Sequence, residues 1–459
     1  HVRAASAATG RECRIAMDLA GPKLRTGPLQ AGPPVIRLRP TRDSWGRAVA
    51  PARCWLTAAE NPSTAGQPGL PTLPVPGAWL AGLNAGDTVT FRDTRDSRRR
   101  LRIEAAHSNG ALASTADTAY LATGTILLAP DGKAAAVEVL PPTEQYLTLR
   151  RGDSLRLTRD CAPAIVAADR PASIGCTLPE VFRQVAVGDL VHLDDGKISA
   201  TVIDSGAEHI TLRITNAARK GSRLRAAKGI NLPDTVLPIP ALTDTDRANL
   251  GFIAQHADLV ELSFVRTPQD VEDLLTALAE LDAPNLGIVI KVETALGFQN
   301  LPAILLVAMR RNDAGVMIAR GDLASECGYE RLAELQEEVL WLCEAAHLPV
   351  IWATQVLDQL ARSGQPSRAE ITDAAMGERA ECVMLNKGPH ILEAVASLDD
   401  ILCRMATHHY KKNALMRPLR SWRSKSPTAR IPAIGTPSDT LALAATLGAR
   451  KANGNRTSE

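Results

Sequence analysis

Three charged residues set out the chemistry that this chain could perform. Lys291 and Glu293 end a β-branched run, GIVIKVE from Gly287, and their two-residue spacing places both side chains on one face of a strand. Asp322 follows a second apolar run, Gly315 to Ala319, at the point in AGVMIARGDLASE where a helix pattern begins. Between the two runs, Phe298 to Arg311 reads as the helix of a strand-helix-strand unit. The strands are then parallel neighbours whose ends share one rim. A lysine between two carboxylates at such a rim suits a divalent cation and an anionic substrate. A buried ion pair with a helix cap is the alternative.

The elements that would hold these residues alternate regularly after Lys228. Strands are expected at Leu259 to Phe264, Gly287 to Glu293, Gly315 to Ala319, Pro349 to Thr354 and Cys382 to Asn386, with helices at Pro268 to Leu281, Arg331 to Ala346 and Arg368 to Arg379. This order means a parallel sheet, open or closed into a barrel. Asp18, Ser263, Glu293, Thr354 and Asn386, all polar and all at strand ends, favour the barrel because they would face one rim. With Arg14 to Leu19 the strands number six, where a (β/α)8 barrel needs eight. Because the chain opens inside a helix closed by Gly10, and without a start Met, two strand-helix units are expected to be missing upstream.

From about Pro28 to Ala227 the pattern changes to short β-like runs rich in Pro and Gly, an all-β insertion. Within it, AGDTVTFRDTRDSRRRLRIEA from Ala85 and VGDLVHLDDGKISATVIDSG from Val187 share a Gly-Asp turn followed by alternating residues, and RGDSLRLTRD from Arg151 is a shorter echo. These read as similar hairpin units and a possible duplication, with Arg98 to Arg100 on a solvated hairpin face. The expected organisation is a barrel segment at 1–28, a β lid at 29–227, the rest of the barrel at 228–410, and a basic, disordered tail rich in Ser and Pro at 411–459.

Composition excludes several classes. The chain has 459 residues, 45% of them hydrophobic, and 52 basic residues face 50 acidic ones, so no overall field attracts nucleic acid. No apolar run is long enough to span a bilayer. Eight cysteines without a CxxC read as free thiols in a reducing, cytoplasmic setting.

On these motifs the chain resembles the pyruvate kinase family: MDLAGPKLRTG, LDDGKIS, KGINLP, IKVE, MIARGDL, WATQVLD and QPSRAE occur in that family's order, over roughly residues 12–29 and 185–405. The resemblance implies phosphoryl transfer from phosphoenolpyruvate to ADP, giving pyruvate and ATP, with Mg2+ or Mn2+. It assigns Lys291 to the phosphoryl group and enolate, Glu293 and Asp322 to the metal, Arg25 to the nucleotide phosphates and Thr354 to the proton-delivery region. The helix opened by Gly321 and Asp322 would receive the substrate carboxylate, with Ser263 as a site wall. Arg320 is expected to brace the metal carboxylates, and Lys228 and Arg266 are secondary candidates. Homo-oligomers are implied, with neither nucleic acid nor membrane as partner.

Departures from the family pattern carry expectations of their own. Near Asp18 the family members that need potassium carry Thr and Glu where this chain has Leu19 and Lys23, so the Lys23 ammonium is expected to replace potassium. The run Met384-Leu385-Asn386-Lys387-Gly388 differs from the usual continuation, the carboxy-terminal regulatory domain is not recognisable, and the insertion is about twice the usual size. A catalytically silent scaffold and a metal-dependent 2-oxo-acid aldolase or lyase are the alternative functions.

Overall fold

The structure is a computed structural model that describes residues 1–60, 69–167 and 170–406. Residues 1–402 form one compact unit. The expected disordered tail at 411–459 lies outside the described residues.

Six parallel strands form the sheet that carries the chemistry, and their spatial order is their chain order: Ala16–Leu19, Leu259–Leu262, Gly287–Val292, Ala314–Ala319, Val350–Val356 and Cys382–Leu385. All six were expected, with shifts of one or two residues at their ends. The two central strands, Gly287–Val292 and Ala314–Ala319, are buried on both faces along most of their length, as expected of a parallel sheet flanked by helices. Ile288, Ile290, Val316 and Ile318 are buried on the helix side. Val289, Met317 and Ala353 pack together on the concave side with Ile351. The sheet curls into an α/β barrel wall, and its successive strand ends meet at one rim.

Caps fix where the crossover helices start. Thr243 with Asp246, Thr267 with Asp270 and Ser367 with Glu370 each form a reciprocal capping box. The expected single helix from Phe298 to Arg311 is two, Ala295–Gln299 and Leu301–Ala308. Pro302 has no N–H to donate and is tolerated only in a first turn, so the chain restarts at Asn300. Helices Asp244–His256, Asp358–Ser363 and Ile391–Met405 were not anticipated.

Between the first two strands of this sheet lie two β modules, each with its own core. The first packs Leu38, Leu56, Leu73, Leu101 and Leu127, and the second packs Leu155, Leu193, Ile198, Leu212 and Ile230. Each module runs strand, parallel strand, one helical turn, hairpin, strand. In the first these are Ala52–Ala58, Thr72–Val75, Gly77–Leu80, the hairpin Thr88–Arg92 with Arg98–His107, and Gly110–Thr115. In the second they are Ser154–Thr158, Ala172–Gly175, Val181–Gln184, the hairpin Leu190–Leu193 with Ile198–Ser205, and His209–Asn216.

The Gly-Asp turns dock in the same way in both copies. The Gly86 N–H donates to the Ile103 carbonyl, while the Ile103 N–H goes to the Asp87 carbonyl; Gly188, Val202 and Asp189 repeat the arrangement. Both glycines have positive φ, 95° and 103°, where a side chain would be strained. The echo at Gly152 makes the same pair of bonds with Ile214, but it opens a single strand, Ser154–Thr158, rather than a hairpin. Among the described residues no helix is long and apolar enough to cross a membrane.

Candidate active site

The rim is built from residues far apart in the chain. Lys291 leaves the end of its strand and directs its Nζ to three oxygens: Asp18 Oδ1 at 2.8 Å, Ser263 Oγ at 2.8 Å and Glu293 Oε1 at 3.1 Å. Ser263 in turn donates to Asp18 Oδ1 at 2.9 Å. Burial alone would lower the Lys291 pKa, but the charges of Glu293 and Asp18 outweigh it and hold the ammonium above its ordinary value. The lysine is therefore a fixed positive charge at the strand end.

Glu293 is 3% exposed, and its second oxygen accepts from the Phe264 N–H at 2.9 Å. Burial raises its pKa, Lys291 opposes that, and the charge of Asp322 raises it further. Asp322 is raised in the same way by burial, with the Asn231 amide opposing and the charge of Asp195 adding to the rise. Both carboxylates line one cavity, and burial holds each above its ordinary pKa. Glu326, one helical turn beyond Asp322, shares the Asn231 amide at 3.4 Å, and burial pushes it up to about 7.

The backbone at the rim is unusual. Phe264, Thr354 and Gln355 have φ of 56°, 67° and 60°, a region that non-glycine residues seldom adopt and that concentrates at functional sites. Thr354 Oγ1 accepts from the Gly321 N–H at 2.9 Å. This bond orients the hydroxyl so that its own proton points elsewhere, and it engages one of the two amides expected to meet a substrate carboxylate. Among the described residues Arg320 makes no bond to Glu293 or Asp322, the carboxylates it was expected to brace. Its guanidinium grips Asp373 on both oxygens, donates to the Ala353 and Thr354 carbonyls at 2.8 and 2.6 Å, and stacks on Trp352 at 4.6 Å. It locks the Thr354 backbone, because a planar five-donor fork can serve a carboxylate and two carbonyls at once.

Opposite the sheet the second β module supplies a wall. A cavity of about 450 Å³ lies between them, bordered by Lys23, Arg25, Asp195, Lys228, Asn231, Arg266, Lys291 and both carboxylates. The turn from Ala20 to Lys23 is held by Asp246, which is 2% exposed and accepts from the Ala20 and Gly21 amides at 3.0 and 3.2 Å. Gly21 is required there: its φ is 64°, and a Cβ would lie 2.9 Å from the Phe264 ring.

That turn delivers Lys23 to 4.0 Å from Asp18 Oδ2, so each oxygen of Asp18 faces an ammonium. Leu19 is fully buried in the core beneath it. Arg25 donates to the Ala227 carbonyl at 2.7 Å and so stands at the mouth of the cavity. Lys228 pairs with Asp194 at 2.9 Å, and Arg266 donates to the Leu237 carbonyl at 2.8 Å and to that of Ile239. Asn386 bonds Asp358 at 3.0 Å and supports a helix.

The structure gathers Lys291, Glu293, Asp322, Ser263, Lys23 and Arg25 around one cavity, with Asp18 bonded to Lys291 and Ser263, and bonds Gly321, next to Asp322, to Thr354. Asn231, Glu326, Asp195, Asp246 and Asp373 were missed. Glu326 had a signal, since four residues after Asp322 on a helix is the same face. Asp246 had one too, as the fourth residue of a Thr-x-x-Asp cap.

Comparison with known proteins finds related chains. A family model described as "Pyruvate kinase, barrel domain" matches residues 102–390. Pyruvate kinase of Bacillus licheniformis is 34% identical over 250 residues, 52% of this chain and 42% of that protein. Pyruvate kinase of Clostridium acetobutylicum is 30% identical over 262 residues, 56% of this chain and 53% of that one. The Homo sapiens protein named pyruvate kinase PKLR is 33% identical over 259 residues, 55% and 43%. The chain spans about half the length of these curated relatives. The family match takes in the second β module, five of the six sheet strands and the Lys291 rim, and it runs over more than half of the chain. The chain belongs to the pyruvate kinase family.

Proposed function

We propose that this cavity binds phosphoenolpyruvate and ADP and transfers the phosphoryl group between them, giving pyruvate and ATP, with Mg2+ or Mn2+ held by Glu293 and Asp322. The observation that supports it most is the Lys291 ammonium, fixed by three oxygens at the rim beside two carboxylates that burial holds above their ordinary pKa. In such a transfer the enol oxygen to phosphorus bond breaks and an ADP oxygen to phosphorus bond forms. The enolate then takes a proton at its methylene carbon. Little covalent help is needed; positioned positive charge is.

The donor set fits a hard divalent cation. Among the described residues no group of three or more His, Cys, Asp or Glu side chains could hold a metal by itself. Two carboxylates are the number that leaves positions for water and substrate oxygens, which is how Mg2+ is bound at phosphoryl-transfer sites. When bound, the cation supplies Lewis acidity and neutralises developing negative charge.

The chain's own residues do the rest. Lys291 meets charge on the phosphoryl group and the enolate oxygen, and Arg25 and Lys23 meet the phosphates at the cavity mouth. The Asp322 amide, at the start of the Arg320–Cys327 helix, is placed to meet a carboxylate. Thr354, held by Gly321 and Arg320, keeps its hydroxyl on the proton-delivery side. The second β module covers the opening and limits hydrolysis by excluding water.

Potassium is not required in this reading, because Lys23 and Lys291 together supply Asp18 with the positive charge that such an ion would bring. Free thiols at all eight cysteines suit a cytoplasmic setting. The test is pyruvate formation from phosphoenolpyruvate with and without ADP, in Mg2+, alongside Mn2+-dependent ADP binding. ADP-dependent pyruvate supports the proposal. Nucleotide binding without pyruvate overturns it in favour of a silent scaffold, and pyruvate that forms without ADP points to a lyase.

A further inference from the structure

The two β modules allow an internal comparison that separates what the fold requires from what one copy has added. The hairpins align through Gly86 with Gly188 and Ile103 with Val202, whose bonds are the same in both copies, and each is followed at once by a bulge. In this alignment Arg102 pairs with Thr88 where Thr201 pairs with Leu190, and Arg100 pairs with Thr90 where Ser199 pairs with His192. Arg98 falls on Lys197. The inward residues between them, Leu101 and Ile103 in one copy and Ala200 and Val202 in the other, are buried in both. The core positions are thus common, and so is a basic residue at the Arg98 position, while the charges at Arg100 and Arg102 belong to the first module alone.

These three arginines are exposed, and among the described residues their side chains have no ion pair and no hydrogen bond. Arg100 shares a row across the sheet with Thr90 and Leu128. Leu128 is 43% exposed and Ile126, on the same face, 51%. The strands of this sheet carry no exposed Trp, Tyr or Phe among the described residues. The second module borders the active-site cavity; among the described residues none of the first does. Three like charges at alternate positions of one strand repel each other unless something negative lies over them.

We propose that this face of the first module docks an acidic protein segment in extended conformation, with carboxylates at every second residue. Alternate residues of a strand repeat about every 6.6–6.8 Å, and the three arginines share that repeat, so one guanidinium meets one carboxylate along the length. The apolar side chains at Leu128 and Ile126 offer a flank for aliphatic residues of the same segment. Single-stranded nucleic acid, by contrast, is gripped through stacking aromatics that the face lacks.

The test uses the whole chain and fluorescence anisotropy with three labelled probes: an alternating Glu-Val dodecapeptide, a block peptide of six Glu then six Val, and a twenty-residue oligothymidylate. The variant Arg98→Lys, Arg100→Ser, Arg102→Thr installs residues that the second module already folds with, and a thermal melt checks that it folds. The alternating peptide should bind more tightly than the block peptide, with a salt-sensitive affinity, and the variant should weaken it at least about tenfold. Unchanged binding by the variant, or no preference for the alternating peptide, overturns the proposal. Tighter binding of the oligothymidylate overturns it in favour of a nucleic-acid surface.

Discussion

Replacing Lys291 by Met tests both the chemistry and the electrostatics of the rim. The side chain is 15% exposed and its partner Glu293 only 4%, so the pair is largely out of water, whereas Asp18 at 40% is screened and matters less. Removing one member of a buried pair costs about 3–5 kcal/mol. The lower end applies, because the Phe264 N–H still serves Glu293. The loss should depend on pH. The Glu293 pKa already lies above its ordinary 4.5, and without Lys291 it rises further. A carboxyl with a raised folded-state pKa destabilises progressively as pH rises through that value, so the gap between variant and parent should be wide at pH 7.5 and narrow toward pH 5. Mn2+ binding should persist, since both carboxylates remain, while turnover should fall by about 10²–10³. The assays are urea melts at the two pH values, Mn2+ titration by electron paramagnetic resonance, and pyruvate formation. Near-normal turnover, or a stability gap independent of pH, would refute this account of Lys291.

Three further outcomes are expected. Glu293→Ala or Asp322→Ala should weaken Mn2+ binding while leaving the Arg320–Asp373 lock intact, read by the same titration and by Trp352 fluorescence; unchanged metal affinity in both would remove them as ligands. Lys23→Glu with Leu19→Thr should create a need for potassium, because a second carboxylate near Asp18, where Lys23 now stands 4.0 Å away, leaves a site that wants a cation; initial rates against potassium at constant ionic strength decide it, and a steep requirement in the parent would be fatal to the idea. Tyr329→Phe should speed tryptic cleavage after Lys197, since the Tyr329 hydroxyl reaches the Asp195 carbonyl at 3.4 Å and packs against Gly196 at the tip of the second module; equal cleavage rates would mean that this contact holds nothing.

The strands, their polar ends and the order of the sheet are all written in the chain. Period-two alternation says which residues share a face, and so Lys291 and Glu293 are legible as neighbours from their spacing alone. Apolar runs bounded by caps say that strands and helices alternate. What alternation cannot say is which distant residue lies opposite. Asp18 meets Lys291 across 273 positions, Arg320 meets Asp373 across 53, and Asp246 holds a turn 226 residues before it. Parallel pairing joins residues through crossovers whose length carries no register, so these contacts exist only once the sheet has curled.

The Arg320 expectation failed for the same reason. Position in a motif supplies its neighbours in the chain, but the carbonyls of the next strand, packed within reach, decide where a five-donor guanidinium points. The two modules show the division most plainly. Their Gly-Asp turns are visible in the sequence, yet the parallel pairing of Ala52–Ala58 with Thr72–Val75, and of Ser154–Thr158 with Ala172–Gly175, is a tertiary fact. That shared topology aligns Arg98, Arg100 and Arg102 with Lys197, Ser199 and Thr201, because backbone hydrogen bonding fixes register even where the side chains differ.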